Sequence, residues 1–520
     1  MKKRKLHLGK KLISNIVYLF FDWLVLSLFS FVFWMIIGKT LNPSDVGIVA
    51  VSISLIIFIG RFSNLGINNA IQKLIPEIKE KKGLKGVYPF VKLSIKPVLI
   101  SLLIIFLILL FFSNQLSSFI KIPYYAFLIC IFSIAIFSVY QFLGSALYGI
   151  QNMKKYFLTD FIQMILRVVI TGLLVFLALN YFIQYKNYLY IPPLIAFLFG
   201  YFFVIFLRFN RNYLKKGQPI SYRKLFFYAT PALISTLAAA LINRGQYIIL
   251  TILTETEITG VFAIAFTITS TIGSLTHIPN YALFPIISVL SIDKKTKKKQ
   301  GYLIGLVLRY SMFLIIPLAL LLITFSKYAV LLFSTEKFLD STQLFPILTL
   351  GAIFFGVGEI FISNLYAIGK PKLHRNIYVS SSLLFLILSL ILTNYFSAIG
   401  YFPAIGLSIS YLVAMLLFFS LSFGYMKKYV KPNLFIKDIL KVLISSLVII
   451  LILFILKPFI HNVFVLGIIL FPISLFYLVL LLFVKFYRIE DVKILRYFGE
   501  KVPTVGKYIL TVANFIESRL

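Results

Sequence analysis

Apolar runs of about 20 residues recur along almost the whole chain, from Leu12 to Val484. A helix of that length crosses a hydrocarbon layer of about 30 Å with every backbone hydrogen bond made inside the helix. The chain has 520 residues, of which 60% are hydrophobic and only 13% charged, whereas soluble domains carry about 25% charged residues. The pattern therefore predicts an all-α polytopic membrane protein.

The hydropathy pattern predicts about 14 transmembrane helices. Most of the predicted spans are separated by short polar loops, and the eighth, over 258–290, is the longest. Cys130, the single cysteine, lies inside a span, and the four histidines are scattered without ligand spacing. We expect neither a metal site nor a cofactor.

Lysine and arginine are concentrated in alternate loops. The N-terminus and every second loop hold 39 of the 51 basic residues, whereas the intervening loops hold 6. This bias is typical of cytoplasmic loops, so both termini are predicted to be cytoplasmic. The net charge of +35 then reflects topology and attraction to anionic membrane lipids. Nucleic acid is not expected as a partner, because no contiguous basic face is formed.

Two stretches of sequence recur six spans later. LYGIQNMKK (147–155) returns as LYAIGKPKL (365–373), an offset of 218 residues. VGIVAVSISL (46–55) resembles TGVFAIAFTI (259–268), an offset of 213 that superposes a glycine on a glycine. Because six is even, the copies have the same orientation and are related by an axis along the membrane normal. The repeat predicts two pseudo-symmetric six-helix lobes around a central space, plus two extra C-terminal helices.

The repeat suggests where the parts of the chain begin and end. We expect an N-lobe over 1–207, a cytoplasmic linker over 208–224 and a C-lobe over 225–425. The two extra helices fall within 426–484. Residues 485–520 are predicted to form a cytoplasmic amphipathic tail on the membrane surface, with a frayed terminus as the alternative.

Basic residues inside the predicted spans are candidates for binding an anionic substrate. A charge near the centre of a membrane helix costs about 2.5 to 3.5 kcal/mol, so each needs a partner, a wet cavity or a route to the interface. The candidates are Arg61, Arg244, Lys96 and Arg309. Arg61 and Arg244 lead, because a guanidinium is always charged and its planar fork fits phosphate oxygens. For Arg309, snorkelling to the interface is the alternative.

Acids inside the predicted spans are candidates for coupling transport to an ion. Asp22, Glu359 and Asp160 could carry a proton or bind a cation such as Na⁺, or they could serve as charge partners. Asp160 and Arg167 lie seven residues apart, on one helix face but not in direct contact. For these two residues, ion pairs with neighbouring helices are the simpler expectation.

Four stretches resemble the polysaccharide transporter family, the O-antigen or lipid-linked oligosaccharide flippases of the multidrug, oligosaccharidyl-lipid and polysaccharide flippase superfamily. They are GKTLNPSDVGIVAVSISL with RFSNLGINNAIQKLIPE (38–77), TGVFAIAFTITSTIGSLTHIPNYALFPIIS (259–288), LYAIGKPKLHRNIYVSSS (365–382) and AIGYFPAIGLSISYLV (398–413). Span eleven departs from the family, since LLFLILSL (383–390) lacks an asparagine that relatives often carry.

The resemblance implies a function as well as a fold. It implies a flippase that moves a polyprenyl-pyrophosphate-linked oligosaccharide from the cytoplasmic to the outer leaflet of a prokaryotic plasma membrane by alternating access. Arg61 and Arg244 would hold the phosphates. The alternative is a cation-coupled multidrug exporter of the same superfamily, against which the excess of intramembrane bases argues. An enzyme is not expected, because the sequence offers no sizeable outer loop with paired carboxylates.

Overall fold

The structure is a computed structural model that describes residues 2–181, 187–214, 221–291, 293–501 and 506–518. Within these residues, fourteen helices are long and apolar enough to cross a membrane. We number them α1 (Tyr18–Thr40), α2 (Pro43–Ser63), α3 (Ile67–Phe111), α4 (Tyr124–Ile150), α5 (Met153–Asn180), α6 (Ile191–Arg208), α7 (Tyr222–Leu253), α8 (Thr256–Ser274), α9 (Lys297–Thr324), α10 (Glu336–Ala367), α11 (Pro371–Ala398), α12 (Pro403–Tyr429), α13 (Ile436–Phe459) and α14 (Val463–Phe483). The predicted all-α polytopic fold is confirmed.

The contacts between helices repeat with a period of six. In the first half α1 packs on α5, α2 on α4, and α6 on both α4 and α5. In the second half α7 packs on α11, α8 on α10, and α12 on both α10 and α11. Helices α1–α6 therefore form the N-lobe and α7–α12 the C-lobe, as the repeated stretches predict. Helix α13 packs on α9, outside the two lobes.

Two spans differ from their predicted form. The eighth predicted span is divided, because α8 ends at Ser274 and a separate helix covers His277–Leu290. Helix α3 begins at Ile67 and turns at Gly83. It therefore includes most of the basic segment 73–85, which the sequence predicts as a loop. The φ of Gly83 is 63°, a left-handed value that glycine adopts without strain. We call residues 67–82, before this turn, the α3 arm.

Helices α2 and α8 join the lobes on the side where both helices begin. Gly47 faces the backbone of Thr256, and Gly260 faces the backbone of Pro43. A Cβ added at either glycine would lie 2.7 Å from the facing carbonyl carbon. The hydroxyls of Ser44 and Thr256 share a hydrogen bond of 2.8 Å. The repeat superposes these two glycines, so this glycine contact is made by equivalent residues of the two lobes.

On the opposite side, where α2 ends, the α3 arm closes against α7. Gly66 has a φ of 70°, and a Cβ added to it would lie 2.7 Å from a backbone nitrogen of α7. Asn69 Nδ2 donates to Thr236 Oγ1 at 3.1 Å. Lys224 Nζ lies 3.3 Å from Glu77 Oε2, with side chains 46% and 42% exposed. This arm contact therefore combines partly solvated polar contacts with a buried apolar part, in which Leu225 and Ala229 of α7 join the apolar cluster of the arm.

Arg309 belongs to a buried ion network that connects α9 with α13 and the tail. Its Nε lies 2.8 Å from Asp438 Oδ2, and its Nη1 and Nη2 donate to Asp491 at 2.9 and 2.8 Å. Arg488 also pairs with Asp438, at 2.8 Å. Burial raises the pKa of Asp491, but the hydrogen bonds from Arg309 and Tyr310 and the charge of Arg309 outweigh it. The pKa of Asp491 is therefore below its ordinary value.

The chain ends in two short helices after α14. Helices α15 (Ile489–Lys501) and α16 (Gly506–Glu517) pack together around Val492, Ala513 and Ile516. The contact of this tail with a lipid surface stays a prediction. Parts of the predicted tail, 502–505 and 519–520, and of the predicted linker, 215–220, lie outside the described residues.

Candidate functional site

A polar cavity of about 340 Å³ lies between the lobes, on the arm side of the glycine contact. Residues of α2, the α2–α3 turn, the α3 arm, α4, α7 and α11 line it, so both lobes contribute. All but a glycine and an alanine have polar side chains. The lining is Arg61, Asn64, Gly66, Asn68, Asn69, Gln72, Gln141, Ser145, Ser235, Thr236, Ala239, His374 and Tyr378.

Of the two leading arginines, Arg61 lines this cavity, whereas Arg244, from the other lobe, is not among the described residues that line it. Arg61 lies near the end of α2, and Arg244 lies in a π-helical turn, Leu241–Gly245, within α7. Their positive charges are close enough to interact. Among the described residues neither arginine has an ion-pair partner. Two uncompensated cations whose charges interact favour an anion near both, and π-helical turns are frequent at functional sites.

The α3 arm adds partial positive charge beside Arg61. Its helix begins at Ile67, and Asn68 and Asn69 in its first turn line the cavity. The Ile67 and Asn69 N–H groups donate to the Asn64 and Gly66 carbonyls at 2.8 and 3.2 Å, so it is the helix dipole that favours an anion here. Arg61 and this helix start therefore act on the same region of the cavity.

The N-lobe interior holds a separate cluster of ionisable groups. Asp160 of α5 accepts hydrogen bonds from Tyr140 and from Arg208, the last residue of α6. Arg208 also donates to the Tyr140 carbonyl and to Thr159 Oγ1, both at 3.0 Å. Asp22 of α1 lies close enough to Asp160 for the two carboxyl groups to interact, and its buried Oδ1 has no hydrogen-bond partner among the described residues. The cluster thus places two buried carboxyl groups beside one guanidinium.

Arg167 takes no part in an ion pair with Asp160. Its guanidinium carbon lies 4.4 Å from the ring centroid of Phe33, and the residue is buried. Its charge interacts with that of Arg244 across the lobes, and its Nε has no hydrogen-bond partner within the part of the chain that the structure describes. Arg167 therefore adds to the positive potential near Arg244.

Glu359 of α10 lies beside the cavity rather than in the N-lobe cluster. It accepts a hydrogen bond from the Tyr378 hydroxyl, and Tyr378 lines the cavity. The 218-residue offset superposes Asp160 on Tyr378. Each lobe thus has a tyrosine–carboxyl hydrogen bond between equivalent helices, α4 with α5 and α10 with α11. The tyrosine lies on the first helix of the pair in the N-lobe and on the second in the C-lobe. Only the N-lobe bond is accompanied by an arginine ion pair within the described residues.

Two of the predicted substrate-binding residues lie away from the cavity. Lys96 is exposed on α3, and it is not among the described residues that line the cavity. Arg309 is fully buried in its network with Asp438 and Asp491, so it neither snorkels nor faces the cavity. We therefore do not retain Lys96 or Arg309 as substrate ligands.

Sequence reasoning missed two features of the site. Arg208 was counted among the bases of the inter-lobe linker, but its side chain turns back into the N-lobe and is 1% exposed. Nothing in the local sequence distinguishes it from a loop arginine. The amide-rich sequence SNLGINNAIQ (63–72), which begins two residues after Arg61, could have indicated a polar site.

Solved structures of known proteins share this architecture. The lipid II flippase MurJ, in an inward closed conformation, has a TM-score of 0.67 and 17% sequence identity, covering 90% of this chain and 98% of that one. An inward-facing MATE-family multidrug resistance transporter of the MOP superfamily has a TM-score of 0.61 and 13% identity, with coverages of 78% and 95%. A MOP-superfamily transporter from Pyrococcus furiosus has a TM-score of 0.54 and 14% identity, with coverages of 81% and 96%. The fold is that of the MOP-superfamily transporters and flippases.

Comparison of the sequence with known families shows the family of the chain. Residues 12–291 match the family described as polysaccharide biosynthesis protein, and the chain belongs to that family. An uncharacterized membrane protein of Methanocaldococcus jannaschii is 25% identical over 269 residues, which are 51% of this chain and 52% of that protein. The chain thus spans about half the length of this relative. The family match confirms the predicted family resemblance, and the fourteen apolar helices fit a multi-pass membrane protein.

Proposed function

We propose that the protein flips a polyprenyl-pyrophosphate-linked oligosaccharide from the cytoplasmic to the outer leaflet of the plasma membrane, for polysaccharide or glycan export. The observation that carries the proposal is the pair Arg61 and Arg244, one from each lobe, whose charges interact without an acidic partner among the described residues. A pyrophosphate between them would neutralise both guanidinium groups and accept their charge-assisted hydrogen bonds.

The sugars and the polyprenyl tail of the substrate need different surroundings. The sugars are strongly hydrated, so they need the polar cavity, whereas the polyprenyl tail is stable in the lipid. The partial positive charge at the start of the α3 arm would assist Arg61 in holding the phosphates. A cationic drug would be repelled by the same groups, and this repulsion disfavours a multidrug exporter.

Alternating access would use the two contacts between the lobes. The arm contact and the glycine contact close the cavity from opposite sides. The arm side holds the basic segment 73–85, which the positive-inside bias assigns to the cytoplasm. We infer that the arm contact opens to admit the substrate and that the glycine contact opens to release it.

We assign proton coupling to Asp22 and Asp160. If both carboxyl groups were ionised, Arg208 would neutralise only one, and a buried unpaired charge is costly. A proton shared by the two acids removes that charge, and its loss would change the packing between α1 and α5. Glu359, hydrogen-bonded to a cavity tyrosine, is a second candidate for a coupling group.

Transport in proteoliposomes tests the proposal. The protein is reconstituted with a labelled polyprenyl-pyrophosphate oligosaccharide, and wild type is compared with Arg61→Ala and Arg244→Ala. A hydrogen bond to a charged group contributes about 1.5 to 3 kcal/mol, so we expect each variant to lose at least about tenfold in rate. The matched control is Arg223→Ala, an exposed arginine at the start of α7, which should keep the wild-type rate. Unchanged transport rates in both Arg61→Ala and Arg244→Ala would refute the anion site.

The same vesicles separate the alternatives. Movement of a cationic dye without movement of the lipid would support the multidrug exporter instead. An imposed proton gradient should accelerate the wild type but not Asp22→Asn. Stimulation by a sodium gradient alone would show that Na⁺ is the coupling ion.

A further inference from the structure

The cavity wall beside Arg61 carries a row of side-chain amides. Asn64 lies in the turn after α2, and Asn68, Asn69 and Gln72 lie on the first two turns of the α3 arm. Position 72 lies four residues after 68 and three after 69, so the three side chains project from one side of the arm helix. We call these four residues the amide wall.

Protein groups already accept hydrogen bonds from several of the amide N–H groups. Asn64 Nδ2 donates to the Gly60 carbonyl at 2.8 Å. Gln72 Nε2 donates to Ser145 Oγ at 3.3 Å, and the arm contact uses Asn69 Nδ2 in the same way. Each of these bonds uses one N–H of an amide and fixes its orientation, so the amide keeps its second N–H and its carbonyl oxygen for other partners.

Two of those oxygens are buried without a partner. Asn64 Oδ1 and Asn68 Oδ1 make no hydrogen bond to any residue that the structure describes. A buried acceptor left without a donor costs about 1 to 3 kcal/mol. A ligand whose hydroxyl or amide hydrogens reached this wall would recover that free energy. The wall therefore favours a ligand that donates hydrogen bonds.

We propose that the amide wall binds the sugar attached directly to the pyrophosphate and selects an uncharged sugar. This inference rests on the proposed function, because a pyrophosphate at Arg61 would place the first sugar against the neighbouring wall. A neutral sugar offers several hydroxyl donors to the carbonyl oxygens. A sugar with its own carboxylate would bring a negative charge against the unpartnered carbonyl oxygens of Asn64 and Asn68, and this repulsion disfavours it.

Tyr378 and His374 extend the site on the C-lobe side. Both line the cavity, and their ring centroids lie 5.1 Å apart. The apolar face of a hexose ring packs well on such aromatic surfaces, while its hydroxyls remain free for the amide wall. A sugar held in this way would contact both lobes.

Binding to three lipid probes tests the inference. The probes are bare polyprenyl pyrophosphate, the same lipid carrying one neutral hexose and the same lipid carrying one hexuronic acid. We expect purified wild-type protein to bind the neutral glycolipid at least about tenfold more tightly than the bare lipid or the uronic acid form. Equal binding of the neutral and acidic glycolipids would overturn the selection of an uncharged sugar.

Variants of the wall locate the effect. Asn68→Ala and Gln72→Ala should each reduce the preference for the neutral glycolipid over the bare lipid about three- to tenfold. Asn394→Ala is the matched control, since this exposed asparagine donates only within its own helix, to the Leu390 carbonyl at 2.9 Å. An unchanged preference in both wall variants would refute the amide wall. If wild type bound none of the three lipids, the proposed function itself would fail.

Discussion

The two contacts between the lobes are built on different physical principles. At the glycine contact, Gly47 and Gly260 bring two helix backbones together, and the facing surfaces are buried. At the arm contact, a single glycine supports the approach, Leu225 and Ala229 of α7 pack in the apolar cluster of the arm, and polar contacts surround them. Its ion pair, Lys224 with Glu77, is more than 40% exposed on both sides. The first contact excludes water, whereas the second admits it.

This difference indicates which contact opens more easily. Close backbone packing is lost all at once when helices separate, because dispersion contacts fall off steeply with distance. Partly solvated polar pairs exchange their partners for water at little cost. The glycine contact also joins equivalent residues of the two lobes, whereas the arm contact does not. We therefore expect the arm side to open first.

The largest effect is expected from a side chain at the glycine contact. Gly47→Val would place its Cβ 2.7 Å from the Thr256 carbonyl carbon and force α2 away from α8. Overpacking costs about 1 to 3 kcal/mol, and here the neighbour is backbone that cannot rotate aside. We expect transport to fall at least about tenfold, with the lobes separated on this side. Labelling of Thr256→Cys by a membrane-impermeant thiol reagent should rise in the Gly47→Val background.

The control for this prediction is a glycine with space around it. No heavy atom within the described residues lies within 4 Å of a Cβ added at Gly424 of α12. Gly424→Val should therefore leave both transport and labelling unchanged. Cys130 is 1% exposed and should not interfere with labelling. If Gly47→Val behaved like Gly424→Val, the glycine contact would not be the tighter of the two.

An intermediate effect is expected where an ion pair is buried. Asp491→Asn leaves Arg309, which is 0% exposed, with one carboxylate fewer. Removing one partner of a buried pair costs about 3 to 5 kcal/mol, so the thermal midpoint should fall clearly at neutral pH. This variant sharpens the comparison, because it shows what an ion pair contributes when water is excluded.

The pH dependence gives a second measurement of the same pair. Since the pKa of folded Asp491 lies below the ordinary 3.8, its contribution is complete above that value and is lost as the pH falls through the folded pKa. The stability difference between wild type and Asp491→Asn should therefore be constant from neutral pH down to about pH 4 and shrink below it. A difference that vanished already at pH 6 would contradict this assignment.

The smallest effect is expected at the arm contact. Glu77→Gln removes an exposed ion pair whose atoms lie 3.3 Å apart, and such pairs contribute about 0 to 1 kcal/mol. The thermal midpoint should hardly change, and any change should disappear at high salt. Opening on the arm side, measured by thiol labelling of Asn69→Cys, should rise slightly. A loss of stability as large as that of Asp491→Asn would show that the arm contact is not the weaker one.

Much of the fold was predictable because each span is a local property. Twenty consecutive apolar residues form a helix in lipid because the backbone must make its hydrogen bonds internally. The repeat also pointed to particular residues. The superposition of Gly47 on Gly260 was read from sequence alone, and the structure shows these two glycines in mutual contact.

The site was only partly predictable. The sequence singled out Arg61 and Arg244 because intramembrane arginines are costly, and the structure brings their charges together. The same argument also selected Arg309, which the structure places in a buried ion network with Asp491, 182 residues further along the chain. Cost alone shows that a partner is needed, but it does not show whether the partner is a protein carboxylate or a substrate.

The amino-acid sequence by itself determined the helices, their number and the duplicated architecture, because these follow from hydropathy and periodicity along the chain. Only the tertiary structure decided which charges are compensated. Arg208 and Arg309 have carboxylates beside them, whereas Arg61 and Arg244 have none among the described residues. Electrostatic free energy depends on distances in space between residues remote in sequence, and the folded arrangement sets those distances.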